Sequence, residues 1–220
     1  IALFVLFAIF GNLLTPHGFG ETSLFARLKP PGTESYPLGT DARGRDLLAR
    51  LVTGAQITLV VGIVGTVIGA VLGSLLGILA AASRGMTEAL IVAAVDAPAS
   101  LPIIIVALFM LAMFDNSFVL FLLLVGLNGW EVYARLMRGA TLQAKEFGYV
   151  IAVRALGASP MRIYLRHILP NILNIALVQF TVNLPLTVLL ETALSFLGLG
   201  VQPPLTSLGQ IMSEGRDRLM

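Results

Sequence analysis

Long apolar runs separated by short polar segments dominate the pattern of this chain. Residues 51–83 contain no Asp, Glu, Lys or Arg across 33 positions, more than the roughly 20 residues that a helix needs to cross a bilayer. The apolar runs predict five membrane-spanning helices, at residues 1–14, 54–82, 89–113, 118–137 and 170–198. The given sequence starts within an apolar run that is short for a full span, so we expect the first span to start earlier. It ends on a polar segment, and we expect a sixth span to follow residue 220.

Proline and charge interrupt two of these spans. Asp96, Pro98 and Pro102 break the third span, and we expect Asp96 to anchor or pair near its end. Pro185 lies inside the fifth span, where it removes a backbone hydrogen bond and favours a kink. In the fourth span Glu131 and Arg135 are four residues apart, so we expect them to pair.

Composition supports the same class of protein. The chain is 57% hydrophobic and only 12% charged, with a mean hydropathy of +0.91, whereas soluble domains carry about a quarter charged residues. The period-two alternation of a membrane β-barrel is absent, so an all-α integral membrane protein is predicted. Without cysteine there is no disulfide framework and no thiol chemistry.

Basic residues orient the spans, because Lys and Arg collect on the cytoplasmic side. Six of them lie at the end of span four or between spans four and five: Arg135, Arg138, Lys145, Arg154, Arg162 and Arg166. The short link at Asp115 and Asn116 has none, so we place it outside and residues 139–169 in the cytoplasm. The long connection after span one then lies outside although it carries five basic residues: Arg27, Lys29, Arg43, Arg45 and Arg50.

Residues 149–171 contain the end and start signals of two helices joined by a sharp turn. Gly157 suits the left-handed position after a helix, Ser159 can cap the next helix, and Pro160 fits its first turn. One apolar helical face is then expected from residues at i, i+3, i+4 and i+7, which are Met161, Tyr164, Leu165 and Ile168.

The second span has a glycine every fourth residue, at Gly65, Gly69, Gly73 and Gly77. Small residues in register let membrane helices approach closely, so we predict tight packing against a helix of this chain or of a partner. Glycine is also common in membrane helices generally, and the spacing alone does not identify what packs there.

The fifth span has a polar stripe at the same spacing: Gln179, Asn183, Thr187 and Glu191. Polar groups are costly in lipid, so they face a bundle interior or a wet cavity. The stripe either lines a solute pathway, with Glu191 as the main functional charge, or bonds neighbouring helices together.

Several chemistries are absent from the sequence. There is no phosphate-binding loop, no histidine or carboxylate spacing typical of a metal site, and no serine with a placed His/Asp pair. We therefore predict no catalytic residues, no bound metal and no bound cofactor.

Four segments nevertheless resemble one family of transport proteins. They are YPLGTDARGRDLLARL at residues 36–51, WEVYARLMRG at 130–139, RALGAS with RHILPN at 154–171, and ETALSFLGLGVQPP at 191–204. Together they are similar to the permease subunit of a binding-protein-dependent, type I ABC importer, with its MetI-like transmembrane domain, of the dipeptide/oligopeptide/nickel branch. One position departs, since Ile151 stands where the family's coupling motif has glutamate; Glu146 or a partner could supply the missing charge.

The resemblance implies an organisation of the chain. Residues 1–14 are then a partial first helix, 15–53 an external region, 54–198 the permease core, and 199–220 an external loop. Within the core, residues 139–169 form the cytoplasmic coupling region. The residues expected to meet an ATPase are Tyr149, Val150, Ala155, Leu156, Gly157, Ala158, Ser159 and Pro160.

It also implies partners and a function. A second homologous permease, two cytoplasmic ATPases that use ATP and Mg²⁺, and an external solute-binding protein would join this chain in a bacterial cytoplasmic membrane. No nucleic acid is involved. Import of short peptides is the function favoured; a nickel or other small-solute importer of the same branch, or a passive channel or membrane scaffold, are the alternatives.

Overall fold

The computed structural model describes the backbone of residues 2–33, 35–114 and 117–219. Asp115 and Asn116, where a short link between spans was predicted, lie outside the described residues. The described part contains these α-helices: α1 Ala2–Phe10, α2 Leu47–Ala82, α3 Met86–Asp96, α4 Ile103–Met113, α5 Phe118–Gly126, α6 Trp130–Ala144, α7 Gly148–Ala155, α8 Pro160–Arg162, α9 Leu169–Phe196 and α10 Leu208–Leu219. A π-helix, Ile163–Ile168, joins α8 to α9.

The chain forms two compact units. The first consists of residues 1–63, 108–122 and 188–220, and the second of residues 64–107 and 123–187. Among the described residues, three helical stretches are long and apolar enough to cross a membrane: Leu47–Ala82, Phe118–Ala144 and Pro160–Phe196. Phe4–Leu14 and Ile103–Met113 are shorter apolar helices. The protein is thus a helical membrane protein, as its composition predicts.

Helix α2 begins at Leu47, earlier than the predicted residue 54. The carboxylate of Asp46 accepts the backbone N–H of Leu48 at 2.9 Å, which caps the helix start. An apolar run marks only the lipid-compatible part of a helix, so the first turns, which carry Arg50, escaped the prediction.

The third span is broken as predicted, with α3 ending at Asp96 and α4 beginning at Ile103. The fourth predicted span lies within the membrane-length helical stretch Phe118–Ala144, which a turn divides into two α-helices. Turn residues 127–129 separate α5 from α6, and Gly129 adopts a left-handed φ of 78°. A Cβ atom at Gly129 would lie 2.7 Å from Oδ1 of Asn183, so both its φ and its surroundings require glycine.

In the first unit, α10 occupies a segment predicted to be a loop. It packs on the start of α2, where the backbone N–H of Leu208 donates to Oγ1 of Thr58 at 3.2 Å. The core of the second unit is a buried apolar cluster of residues from α6, α7, the π-helix and α9: Met137, Ala144, Val150, Ile163, Ile168 and Ile172.

Candidate functional site

Helix α7 ends in a complete Schellman motif. Gly157 has a φ of 82°, its N–H donates to the carbonyl of Arg154 at 3.0 Å, and the N–H of Ala158 donates to the carbonyl of Val153 at 3.3 Å. These bonds satisfy carbonyls that the helix end would otherwise leave unpaired. The predicted turn at Gly157 is therefore confirmed, and it is rigidly bonded.

The next helix begins at Pro160, as predicted, with Ser159 at the capping position. The Ser159 side chain makes no capping hydrogen bond, so its predicted role is wrong. Its carbonyl instead accepts the N–H of Ile163 at 3.1 Å, and Pro160 leaves one fewer N–H to satisfy.

The predicted apolar face of this helix is confirmed for Tyr164 and Ile168, which pack in or against the buried cluster, and is wrong for the other two residues. Met161 and Leu165 are 72% and 54% exposed, whereas Ile163, which was not predicted to lie on this face, is buried beside Ile168. The π-helix explains the difference, because its i→i+5 bonding brings residues five apart onto one side. A period of 3.6 residues does not hold across Ile163–Ile168.

The two helices and their turn form a hairpin, residues 148–168, that stands on the buried cluster of the second unit. Val150 is fully buried in that cluster, and Ala158 is half-buried against it. The other six residues predicted to meet an ATPase are exposed: Tyr149, Ala155, Leu156, Gly157, Ser159 and Pro160. Leu156, at the turn, is 87% exposed. The hairpin thus has an apolar root and an exposed tip with a large apolar side chain.

The polar stripe on α9 is largely buried within the chain. In the second unit, Nδ2 of Asn183 donates to the carbonyl of Asn128 at 3.1 Å, and Thr187 donates to the carbonyl of Asn183 at 3.1 Å. Gln179 is half-buried. In the first unit, buried Glu191 accepts a hydrogen bond from Ser195 at 2.7 Å. Three of the four side chains therefore have partners within this chain.

The glycines of α2 lie against α5, the turn and α6 of the same chain. A Cβ atom at Gly65 would lie 3.1 Å from a methyl of Val125, and one at Gly69 would lie 2.8 Å from the carbonyl oxygen of Gly126. At Gly73 and Gly77 it would overlap the carbonyls of Trp130 and Ala134, respectively. These contacts leave no room for side chains, so this face of α2 packs backbone to backbone.

A buried ionic cluster in the first unit was not predicted. Arg50, with its side chain 3% exposed, bonds Oδ2 of Asp41 at 3.0 Å and both carboxylate oxygens of Glu214 at 2.7 and 2.9 Å. Nε of Arg45 adds a bond to Asp41 at 2.7 Å. Two of the five basic residues that conflicted with the orientation are therefore neutralised here. The Asp41–Arg45 spacing could have suggested one pair, but Glu214 is 164 residues from Arg50.

This environment shifts two carboxyl groups. Burial raises the pKa of Asp41, but the backbone N–H groups of Arg45 and Arg43 and the Arg45 guanidinium lower it by more, so the net pKa is below its usual value. Burial likewise raises the pKa of Glu214, and the hydrogen bonds and charge of Arg50 bring it below its usual value. Both groups are therefore held as carboxylates.

The described residues hold no group of three His, Cys, Asp or Glu side chains placed to bind a metal ion.

Comparison with known proteins places this arrangement in context. Residues 73–216 match the family described as "Binding-protein-dependent transport system inner membrane component". The chain is 34% identical, over all of its length and 73% of the relative's, to the oligopeptide transport system permease protein OppC of Escherichia coli (strain K12). It is 32% identical to the dipeptide transport system permease protein DppC of Bacillus subtilis (strain 168), covering 97% of this chain and 66% of that one.

A solved structure shares the fold. The inward-facing MetNI methionine ABC transporter superimposes with a TM-score of 0.64 at 25% sequence identity, covering 75% of this chain and 79% of that one.

Proposed function

This chain belongs to the family of binding-protein-dependent transport system inner membrane components, and we propose that it forms half of the pore of an ATP-driven importer of short peptides. Its companions would be a second, homologous permease, two ATPases on the cytoplasmic side and a solute-binding protein on the outside of a bacterial cytoplasmic membrane. The hydrolysis of ATP, with Mg²⁺, belongs to the ATPases, and this chain binds no cofactor. The names of its relatives support peptides as the substrate.

The hairpin with its exposed Leu156 is the observation on which this proposal depends. An apolar tip on a helical projection is the shape that inserts into a hydrophobic groove of a partner protein. The Schellman motif at Gly157 fixes the tip, and the buried cluster fixes its root, so a push on the tip moves the hairpin as a body.

Displacement of the hairpin has a direct route into the membrane. The helical stretch Pro160–Phe196 is continuous, and its π-helix contributes Ile163 and Ile168 to the buried cluster. Movement of the hairpin therefore displaces the part of α9 that carries Asn183 and Thr187. A passive channel needs no such connection, which favours a transporter driven from the cytoplasmic side.

The test is Leu156→Asp in the whole transporter, co-expressed with its partner subunits. We expect co-purification of the ATPases and peptide uptake into proteoliposomes to fall at least about tenfold, because a charge replaces the exposed apolar side chain that we propose enters the ATPase groove. Leu24→Asp, at a side chain that is 70% exposed in a different part of the chain, is the matched control and should leave co-purification unchanged. Normal ATPase assembly with Leu156→Asp would contradict the proposal.

A further inference from the structure

The second unit contains a cavity of about 570 Å³ beside the turn between α5 and α6. Its volume lies within the roughly 300–1,000 Å³ of small-molecule sites. Pro98, Leu101 and Val106 form apolar walls on one side, and Asn128, Trp130 and Glu131 lie on the other. None of the residues that we predicted from the stripe on α9 lines it.

Two interruptions of membrane helices meet at this cavity. One is the non-α-helical stretch between α3 and α4, near the middle of residues 86–113, and the other is the turn 127–129, near the middle of Phe118–Ala144. Irregular backbone at membrane depth is tolerated where it is buried in protein or lines a cavity. In transporters, broken helices of this kind commonly border the substrate site.

The half-buried side chain of Glu131 makes no hydrogen bond or ion pair with any residue in the described part of the chain. Its expected partner, Arg135, instead bonds Oδ1 of Asp96 through Nη1 at 3.2 Å, so the predicted Glu131–Arg135 pair is wrong. A carboxylate within a membrane span is costly unless it is paired or hydrated. The half-buried Glu131 therefore leaves the cavity with a negative charge that a bound cation would neutralise.

The composition of the walls decides the type of cation. A metal ion needs several oxygen or nitrogen ligands, whereas the described residues offer no group of three carboxylate, His or Cys side chains for one. A single carboxylate, the indole of Trp130 and apolar surface suit an organic ammonium, which takes a charge-assisted hydrogen bond and cation–π contact.

We propose that this cavity receives the protonated amino terminus of a peptide in transit, with Glu131 as its counter-ion. This inference rests on the proposed function, since it assigns the substrate group that the pore contacts. The apolar walls would accommodate the first side chains of the peptide. Asn128, which lines the cavity with Glu131, offers an amide group for a further hydrogen bond.

The test compares alanyl-phenylalanine with its N-acetyl derivative in proteoliposomes that contain the whole transporter. Glu131→Gln should raise the KM for the free-amine peptide about tenfold and leave uptake of the acetylated peptide unchanged relative to the wild type. Glu131→Asp, which keeps the charge, should largely restore the KM. Glu21→Gln, at an exposed carboxylate of the first unit, should change neither peptide.

A second measurement does not depend on the binding protein. Trp130 is the single tryptophan of the chain, so subtracting the emission of a Trp130→Phe transporter isolates its signal. The free-amine peptide should change this signal in the wild type, and the change should be lost in Glu131→Gln. If the wild type imports the peptide but Glu131→Gln affects both peptides equally, or neither, the cavity assignment is overturned and the proposed function stands. If the wild type imports no peptide, the proposed function itself fails.

Discussion

Asp41 joins parts of the first unit that are far apart in sequence. Its Oδ1 accepts the backbone N–H groups of Arg43 at 2.7 Å and Arg45 at 3.0 Å, and its Oδ2 accepts both Arg45 and Arg50 side chains. Arg50 then holds Glu214 of α10 through two parallel bonds, the strongest geometry for such a pair. One carboxylate therefore fixes both a local turn and the arginine to which α10 is attached.

This network predicts a pH dependence of stability. Asp41 is buried, so Asp41→Asn should lower the free energy of unfolding by about 2 kcal/mol at neutral pH, because charged hydrogen bonds are lost. The folded-state pKa lies below the ordinary value of 3.8. The stabilisation is therefore fully present above that value and is lost as the pH falls through the folded pKa.

Thermal unfolding of the purified transporter as a function of pH checks this. The difference in Tm between wild type and Asp41→Asn should be constant above about pH 5 and shrink below pH 4. Glu21→Gln, which changes an exposed carboxylate of the same segment, should give a Tm close to that of the wild type throughout. A Tm difference that grew on acidification would contradict the assignment.

Helix α2 depends on its glycines in a different way, because they act as a row. Gly69, Gly73 and Gly77 each face a backbone carbonyl of the α5–α6 region at a distance that excludes a Cβ atom. Burial of apolar surface contributes little to helix association in a membrane, because the lipid is itself apolar. The close approach at these glycines instead supplies the van der Waals contact that holds the helices together. These glycines therefore pack α2 against α5 and α6 within the second unit, and this face of α2 is not free to bind a partner helix.

Gly73→Ala should destabilise the transporter by about 1–3 kcal/mol, because the added methyl overlaps the carbonyl of Trp130 and approaches Tyr133. Gly139→Ala is the matched control: it lies inside α6 and nothing stands within 4 Å of its Cβ position. Since the gain in helix propensity is the same for both, Gly139→Ala should be neutral or stabilising by up to about 1 kcal/mol. Equal Tm values for the two variants would show that the glycine row is not a packing surface.

Sequence predicted those features whose causes are local. The turn at Gly157 and the break before α4 depend on glycine and proline signals within a few residues, and both were found. The π-helix was missed because nothing in a 3.6-residue period announces a change to i→i+5 bonding. The interruption at Gly129 was missed although Asn128–Gly129 is a turn signal, because the span was assigned from its hydropathy and not from its turn residues.

Long-range partners escaped prediction for a different reason. Arg135 had Glu131 one helical turn away, yet its partner is Asp96 on α3. Arg50 and Glu214 are likewise brought together only by the fold. A sequence predicts which charges must be paired in a membrane protein, but the fold chooses between the candidates.

Ile151 matters for how this chain would couple to an ATPase in the assembled transporter. This residue is 51% exposed on α7, at the position where the resemblance to ABC importers leads us to expect glutamate. Glu146, the charge that could substitute for it, precedes α7 and is also exposed. The exposed surface of the hairpin is apolar at three positions, Tyr149, Ile151 and Leu156. Because the expected glutamate is absent here, we expect the two halves of the pore to be coupled unequally to their ATPases, with this chain the weaker half.

Ile151→Glu tests that asymmetry. A carboxylate on the exposed side of α7 could pair with a basic group of the ATPase or of the second permease, and an exposed ion pair contributes about 0.2–1 kcal/mol. We expect a correspondingly modest change, about two- to fivefold, toward fewer ATP molecules hydrolysed per peptide imported. Ile151→Leu keeps the surface apolar and should leave that ratio as in the wild type. If Ile151→Glu also left it unchanged while the transporter assembled normally, the isoleucine would be neutral for coupling, and the inequality of the two halves would have no basis in this residue.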